Sequence, residues 1–231
     1  MALTLTPTRR DGVEILDGGG LDPRVVERSM SDVARANTLF GGASAVLAEL
    51  EPVLCNLPAH ATLLDIGTGL GDIPSRAQAR AAAHGVALRT VGVDLAPELA
   101  AASTERIDAA VCADALTLPF ADASVDVVTC SQVLHHFPGR SGVALLREIN
   151  RVARARVVVS DLRRSWAAAA GLWVASFPLL FHPISRHDGV VSVLRGFTAE
   201  ELRRLVTTAV GQSPRVTRRF AFRVTTSWDP R

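Results

Sequence analysis

From Thr62 to Asp161 the chain alternates between short, almost wholly apolar runs and segments with helical spacing. "TLLDIG" (62–67), "LRTVGVDL" (88–95), "AAVCADA" (109–115), "SVDVVTCS" (124–131) and "ARVVVSD" (155–161) read as strands. Between them "SRAQARAAAH", ending at Gly85, "PELAAAS" and "GVALLREINRVA" (142–153) read as helices. A strand that is apolar on both faces must be covered on both, as in a parallel sheet between two helix layers. The pattern therefore predicts a doubly wound α/β fold. In such sheets ligands sit beyond the carboxyl ends of the strands, near the switch in strand order.

The flanks carry less information. The first twenty residues, ending in "DGGG", are expected to be poorly ordered. Asp22 then caps a helix with Pro23 at its first position. That helix carries Val25, Val26, Met30, Val33 and Ala34 at helical spacing and stops before Gly41–Gly42, and a second runs from about Ala43 to Cys55. "TAEELRRLV" opens with a capping box, Thr198 and Glu201. Pro214 to Trp228 is β-like, either one long strand or two turning near "FAF". "WAAAAGLWVASFPLLF" (166–181) is uncharged but short of the ~20 residues that span a bilayer, and Pro178 interrupts it. It reads as a buried or substrate-covering helix, with membrane contact at most peripheral.

A net charge of +2 is too weak to imply a nucleic-acid partner. Arg215, Arg218, Arg219 and Arg223 read as solvated strand faces. Cys55, Cys112 and Cys130 show no disulfide framework or metal cluster, and no signal peptide is visible, so a reducing cytoplasmic setting is expected.

Chemistry concentrates in "LLDIGTGLGDIP" (63–74). Gly67 and Gly69 suit a dinucleotide fingerprint, but its third glycine falls on Asp72. Asp65 lies inside the strand, two residues before the first glycine. A carboxylate there faces a pyrophosphate badly and suits a ligand with an ammonium group and a sulfonium centre. Asp94 ends the second strand, where a carboxylate accepts both ribose hydroxyls. Asp114 ends the third and is placed to accept from an adenine amino group. Three acids on successive strand ends, around a glycine loop, describe a pocket for an adenosine with a positively charged tail.

At this point the sequence resembles the class I S-adenosylmethionine-dependent methyltransferases, in the small-molecule branch that includes quinone-biosynthesis and phenolic polyketide enzymes. The matching blocks are "LLDIGTGLGD", "VGVDLAPELA", "CADALTLPFADASVDVVTCSQVLHHF" and "LREINRVARARVVVSD", from about Thr62 to Asp161. The resemblance implies a mostly parallel seven-stranded Rossmann-like sheet with helices on both faces and a helical substrate lid. Residues 1–55 would be a helical segment closing the site, and 56–231 the methyltransferase domain with the lid at about 162–197. It implies S-adenosyl-L-methionine as cofactor, with Asp65 and Gly67, Thr68, Gly69 and Gly71 on its methionine part. Asp94 would hold the ribose and Leu95 pack on the adenine. Asp114 and Ala115 would read the adenine edge, and Ser131 would lie beside the reactive methyl.

Methyl transfer to an O–H group needs a positioned nucleophile and a proton acceptor. His135 and His136 follow the fourth strand directly and are candidate bases, since imidazole titrates near neutrality. His187, beside Asp188 in "SRHDG", is a third, in what reads as a substrate-facing loop where Arg186 orients the substrate. Trp166, Trp173, Phe177 and Phe181 would line the lid, and Arg35, Asn37 and Phe40 would close the other side. No metal is expected, because the histidines lack ligand spacing. The expectation is O-methylation of a small, largely apolar aromatic or polyketide-like acceptor in secondary metabolism. N- or C-methylation, a non-catalytic cofactor-binding subunit and a dehydrogenase are the rivals, the last disfavoured by Asp65 and Asp72. The Asn/Asp-Pro-Pro-aromatic pattern of amino-methyltransferases is absent at "CSQVLHH", which lowers nucleic-acid substrates.

Overall fold

The computed structural model describes residues 6–18 and 20–230. Seven strands form one sheet: β1 (His60–Ile66), β2 (Ala87–Asp94), β3 (Ala109–Cys112), β4 (Val125–Ser131), β5 (Ala153–Leu162), β6 (Val216–Arg219) and β7 (Arg223–Trp228). Their order is β3-β2-β1-β4-β5-β7-β6. β3 to β5 pair in parallel, whereas β7 runs antiparallel to both β5 and β6. The order reverses between β1 and β4, so the ligand crevice is expected above their carboxyl ends.

Alternation along each strand explains the two layers. Leu63, Val127 and Val158 pack on one face, against Val46 and Leu50 of α2 (Gly42–Leu54) and Ile73 and Ala77 of α3 (Asp72–Ala82). Leu64, Val128, Val157 and Val159 pack on the other. There they meet Leu145 and Ile149 of α5 (Arg140–Val152) and Leu202 and Val206 of α8 (Ala199–Val210). α2 is thus part of the main core rather than a cover over the site. The cover from this end of the chain is α1 (Pro23–Leu39), with Asp22 as its cap. The short α4 (Pro97–Ser103) follows β2.

Two local expectations hold in detail and a third in part. Thr198 and Glu201 make both bonds of the capping box. The C-terminal β region is two strands, turning through Phe220–Phe222. The expected helix over 166–181 ends at Ser176, as α6 (Trp166–Ser176), and is not buried, with Trp166, Trp173 and Val174 44–61% exposed; among the described residues no helix is long and apolar enough to cross a membrane.

Two expectations fail. Residues 6–18 are not loose: the Arg10 N–H donates to the Leu194 carbonyl, and a 3-10 turn spans Ile15–Gly18. Met1–Leu5 and Gly19 lie outside the described residues. "SRHDG" is not a loop but part of α7 (Pro183–Arg195), which packs against α6. Gly189 lies inside this helix because a Cβ there would meet Leu172 Cδ2 at 2.8 Å; the glycine lets the two helices approach.

Candidate active site

A cavity of about 680 Å³ lies above the carboxyl ends of β1, β2, β4 and β5. At one end are Asp65, the Gly67–Gly69 loop, Asp94, Leu95, Asp114 and Ala115, and at the other Ser131, His135 and His136. All the expected cofactor residues except Gly71 therefore line one space. Gly71 instead supplies the left-handed residue that starts α3, at φ +72°.

The loop is shaped by close approach. Gly67 has φ +64°, and a Cβ on it would come within 2.3 Å of Val133 Cγ2, so the loop after β1 lies tightly on the loop after β4. The Gly69 N–H donates to Asp94 Oδ2 at 3.0 Å, and the Ala96 N–H to its Oδ1 at 3.1 Å. Asp94 thus ties the two loops together, with burial keeping its pKa above the usual range. Asp114 accepts from the Leu116 N–H at 2.9 Å and is solvent-exposed, just past the end of β3. Leu95 is 72% exposed and lines the cavity.

Asp65 is 2% exposed and accepts from Thr129 Oγ1 at 2.6 Å. Burial pushes its pKa up to about 7, against that hydrogen bond, and the charges of Asp72 and Asp94 push the same way. The Thr68 and Ser131 hydroxyls are buried without a hydrogen-bond partner among the described residues. Burial likewise raises Asp72. A cluster of desolvated carboxylates with unpaired hydroxyls fits a cationic, polar ligand and disfavours a pyrophosphate, so the residues present fit the methionine end of S-adenosylmethionine.

The histidines part company. His135 is 2% exposed; its Nδ1 lies 2.8 Å from Asp161 Oδ1 and its Nε2 3.5 Å from Glu14 Oε1. Burial alone would lower its pKa. The charges and bonds of Asp161 and Glu14 outweigh that and push it up to about 9. The two acids favour the imidazolium form of His135, which weighs against its reading as a base. Asp161, pulled below its usual range by His135 despite burial, also accepts from the His135 and Leu162 N–H groups. His136 is part-exposed, with Nδ1 3.2 Å from Asp17 Oδ2 and Nε2 3.9 Å from Glu14. His187 does contact Asp188, Nδ1 to Oδ1 at 2.8 Å, but is not among the residues lining the cavity. Asp188 is spent on structure, accepting from the Ile15 and Leu16 N–H groups at 2.9 Å.

The lid is also rearranged. Of the four expected aromatics only Phe181 lines the cavity, together with Leu172; Trp166, Trp173 and Phe177 are 44–50% exposed. Arg186 lies over Phe177 and donates to Ser176 Oγ at 2.8 Å, so it does not orient a substrate. Asn37 and Phe40 line the cavity as expected; Arg35 instead pairs with Asp32 and caps the Leu179 carbonyl.

Sequence reasoning missed Glu14 and Arg223, both cavity-lining and both buried. Glu14 was assigned to a loose terminus and Arg223 to a solvated face. Glu14, His135 and His136 also bring three possible ligand atoms within 4.8 Å of one another, a grouping that spacing along the chain cannot show. Arg195 Nη1 stands 3.4 Å from the same Glu14 oxygen and 3.2 Å from Asp17.

Residues 64–159 match the model of a family described as a methyltransferase domain. No curated protein matches the chain. Among solved structures, an S-adenosylmethionine-dependent methyltransferase from Aquifex aeolicus is similar over 91% of this chain and 100% of its own (TM-score 0.58, 16% identity). A possible histamine N-methyltransferase from Thermotoga maritima covers 90% and 99% (TM-score 0.57, 16% identity). Magnesium protoporphyrin IX methyltransferase from Synechocystis PCC 6803, solved with bound SAH, covers 94% and 91% (TM-score 0.55, 18% identity). These identities speak to the fold, and the family match to the domain. Residues 64–159 thus match a methyltransferase domain, and the sheet has the fold of S-adenosylmethionine-dependent methyltransferases.

Proposed function

We propose that the protein methylates the hydroxyl oxygen of a small aromatic acceptor, of the kind found on phenolic natural products. The observation that carries this is the single cavity running from Leu95, past Ser131, to His136 and Phe181. In this reading Asp65 and residues Gly67–Gly69 hold the methionine part of the cofactor, and Asp94 exchanges its loop N–H partners for ribose hydroxyls. Leu95, Asp114 and Ala115 take the adenine, and Ser131 stands beside the methyl. When bound, S-adenosylmethionine supplies an activated methyl group and its own leaving group.

The chain's task is then to seat the acceptor in line, exclude water and receive one proton. Leu172 and Phe181 give the acceptor an apolar wall. His136 is the imidazole at this end that His135's ionised pairing leaves to take the hydroxyl proton, and Asp17 on its Nδ1 holds the ring. Such a base contributes about 10²–10⁴-fold.

The test is calorimetry with S-adenosylmethionine, S-adenosylhomocysteine and a nicotinamide dinucleotide, followed by turnover on a panel of phenols. Binding of the first two and methylation of at least one phenol, lowered about tenfold or more in His136→Ala, is the expected result. Tight cofactor binding with no turnover on any phenol would favour a regulatory subunit instead.

A further inference from the structure

Two buried arginines flank the carboxyl end of β5, and they are treated oppositely. Arg164, 4% exposed, has a partner on each of its three nitrogens: Nε on the Pro7 carbonyl at 2.8 Å, Nη1 on the Gly196 carbonyl at 2.6 Å and Nη2 on Glu201 at 2.7 Å. Arg223, 3% exposed and opposite Leu162 in the β5–β7 ladder, makes no side-chain hydrogen bond and no ion pair among the described residues. Its Nε and Nη1 are buried without a partner, and the residue lines the cavity. A buried, unpaired guanidinium is among the least favourable arrangements in a protein interior, and it remains charged at neutrality.

The surrounding charges do not neutralise it. Asp161 is the acid that acts on Arg223, and its carboxylate is already shared by the His135 imidazolium and two backbone N–H groups. Glu14 faces His135, His136 and Arg195. The position of Arg223 separates it from the cofactor loop. β7 lies three strand spacings from β1, about 14 Å across the sheet. That places the guanidinium beyond Ser131 and His135, at the end of the cavity assigned to the acceptor.

We propose that Arg223 is the anchor for a carboxylate on the acceptor, so that the substrate is an aromatic hydroxy acid with its hydroxyl at His136 and its carboxylate on Arg223. A guanidinium presents paired N–H groups that match the two oxygens of a carboxylate. A ligand carboxylate would supply the partner that the folded chain withholds. This assignment rests on the proposed acceptor end of the cavity and narrows the acceptor from an apolar phenol to an organic anion.

The experiment uses the full chain saturated with S-adenosylhomocysteine, titrated calorimetrically with 2-, 3- and 4-hydroxybenzoate and with the matching uncharged hydroxybenzamides. At least one acid is expected to bind tenfold or more tightly than its amide, about one pair of charge-assisted hydrogen bonds. In Arg223→Met that preference disappears, with acid affinity down at least about thirtyfold and S-adenosylhomocysteine affinity unchanged. Arg223→Lys recovers part of it, charge without the fork. The melting temperature of Arg223→Met without ligand equals or exceeds that of the parent, because no native bond is lost. Acids binding no better than amides, or no acid binding, overturns the proposal, as does a preference that survives Arg223→Met. So does a loss of S-adenosylhomocysteine affinity instead, which would make Arg223 a cofactor residue. Failure of the parent protein to bind S-adenosylhomocysteine at all sinks the methyltransferase reading rather than this one.

Discussion

The two ends of the cavity are built by different means. The end proposed for the cofactor comes from successive strand ends and the turns right after them: Asp65 and Gly67–Gly69 after β1, Asp94 and Leu95 after β2, Asp114 after β3. The acceptor end is assembled from distant pieces. Glu14 and Asp17 come from the start of the chain, Phe181 and Ser185 from the lid, and Arg223 from β7. Turns that directly follow the strands shape the first end, and bonds between the N-terminal stretch, the lid and β7's neighbours shape the second. Damage to the second should therefore unfasten the molecule while leaving cofactor binding largely intact.

Arg164 is the sharpest probe of that division. Arg164→Met removes three bonds that join the N-terminal strap, the end of the lid and α8. A loss of ~2–3 kcal/mol in chemical denaturation is expected, since two carbonyls lose a donor, while Glu201, part-exposed, keeps its capping-box bond to the Thr198 N–H. At temperatures where the variant is folded, its S-adenosylhomocysteine affinity should stay within a few-fold of the parent. A parallel collapse of cofactor affinity would show that the two ends are not separable.

The converse break is Gly67→Ala. With φ at +64° and Val133 Cγ2 at 2.3 Å from the new Cβ, the loop must move. Strain of ~1–3 kcal/mol and displacement of the cradle are expected to lower cofactor affinity about 100-fold or more, read by calorimetry. Hydrogen-exchange protection of Ile15 and Leu16, held by Asp188, should not change.

A smaller effect comes from Asp65. Its folded pKa of about 7 lies above the ordinary value of 3.8, so its contribution to stability is present below about pH 4 and lost as pH rises through 7. A cationic ligand needs the ionised form. S-adenosylmethionine affinity should therefore fall about tenfold per unit below pH 7, and binding at pH 6 should release a proton, measurable as a heat that depends on the buffer. In Asp65→Asn the pH slope should vanish. A slope that survives the substitution would assign the titration to another group.

The smallest effect is expected on the outer lid. Trp173→Ala removes a half-exposed ring that packs edge-on against Phe177 and does not line the cavity. A change within about 0.5 kcal/mol and an unaltered acceptor KM are expected. A large KM change would mean that α6 folds inward around the acceptor.

The same division explains what could be read from the chain. Uniformly apolar runs specify a doubly covered parallel sheet, and the acids that follow them come in a fixed order, so the expected cofactor residues, Gly71 excepted, come together in one cavity. The antiparallel pairing of β7, and with it the placement of Arg223, depends on which strand it meets, and nothing in "FRVTTSW" encodes that. Glu14 is one acid in a stretch of weak pattern; its burial arises only when α7 offers Asp188 to the neighbouring N–H groups. "SRHDG" carries turn-like residues, yet Pro183 at the first helical turn and the close packing on Leu172 make it helix. In the lid the aromatics suggested a pocket wall, but α6 is apolar on all sides and gives no signal for which face turns inward.

The reversal of β7 has a topological consequence. In a sheet of parallel strands alone, the residue that opens a strand lies on the rim opposite the ligand. Because β7 enters from the other direction, its first residue and the hairpin turn before it, Phe220–Phe222, stand on the ligand rim beside the end of β5. Ala221 and Phe222 both have left-handed backbone there, at φ +49° and +57°. The hairpin's strands are fastened by the β5 ladder, by Glu49, which accepts from Arg219, Thr225 and Ser227, and by Trp228 in the core, so its exchangeable part is the turn. Its sequence can drift, lengthen or be grafted to alter what the enzyme accepts, while every residue that defines the domain stays where it is.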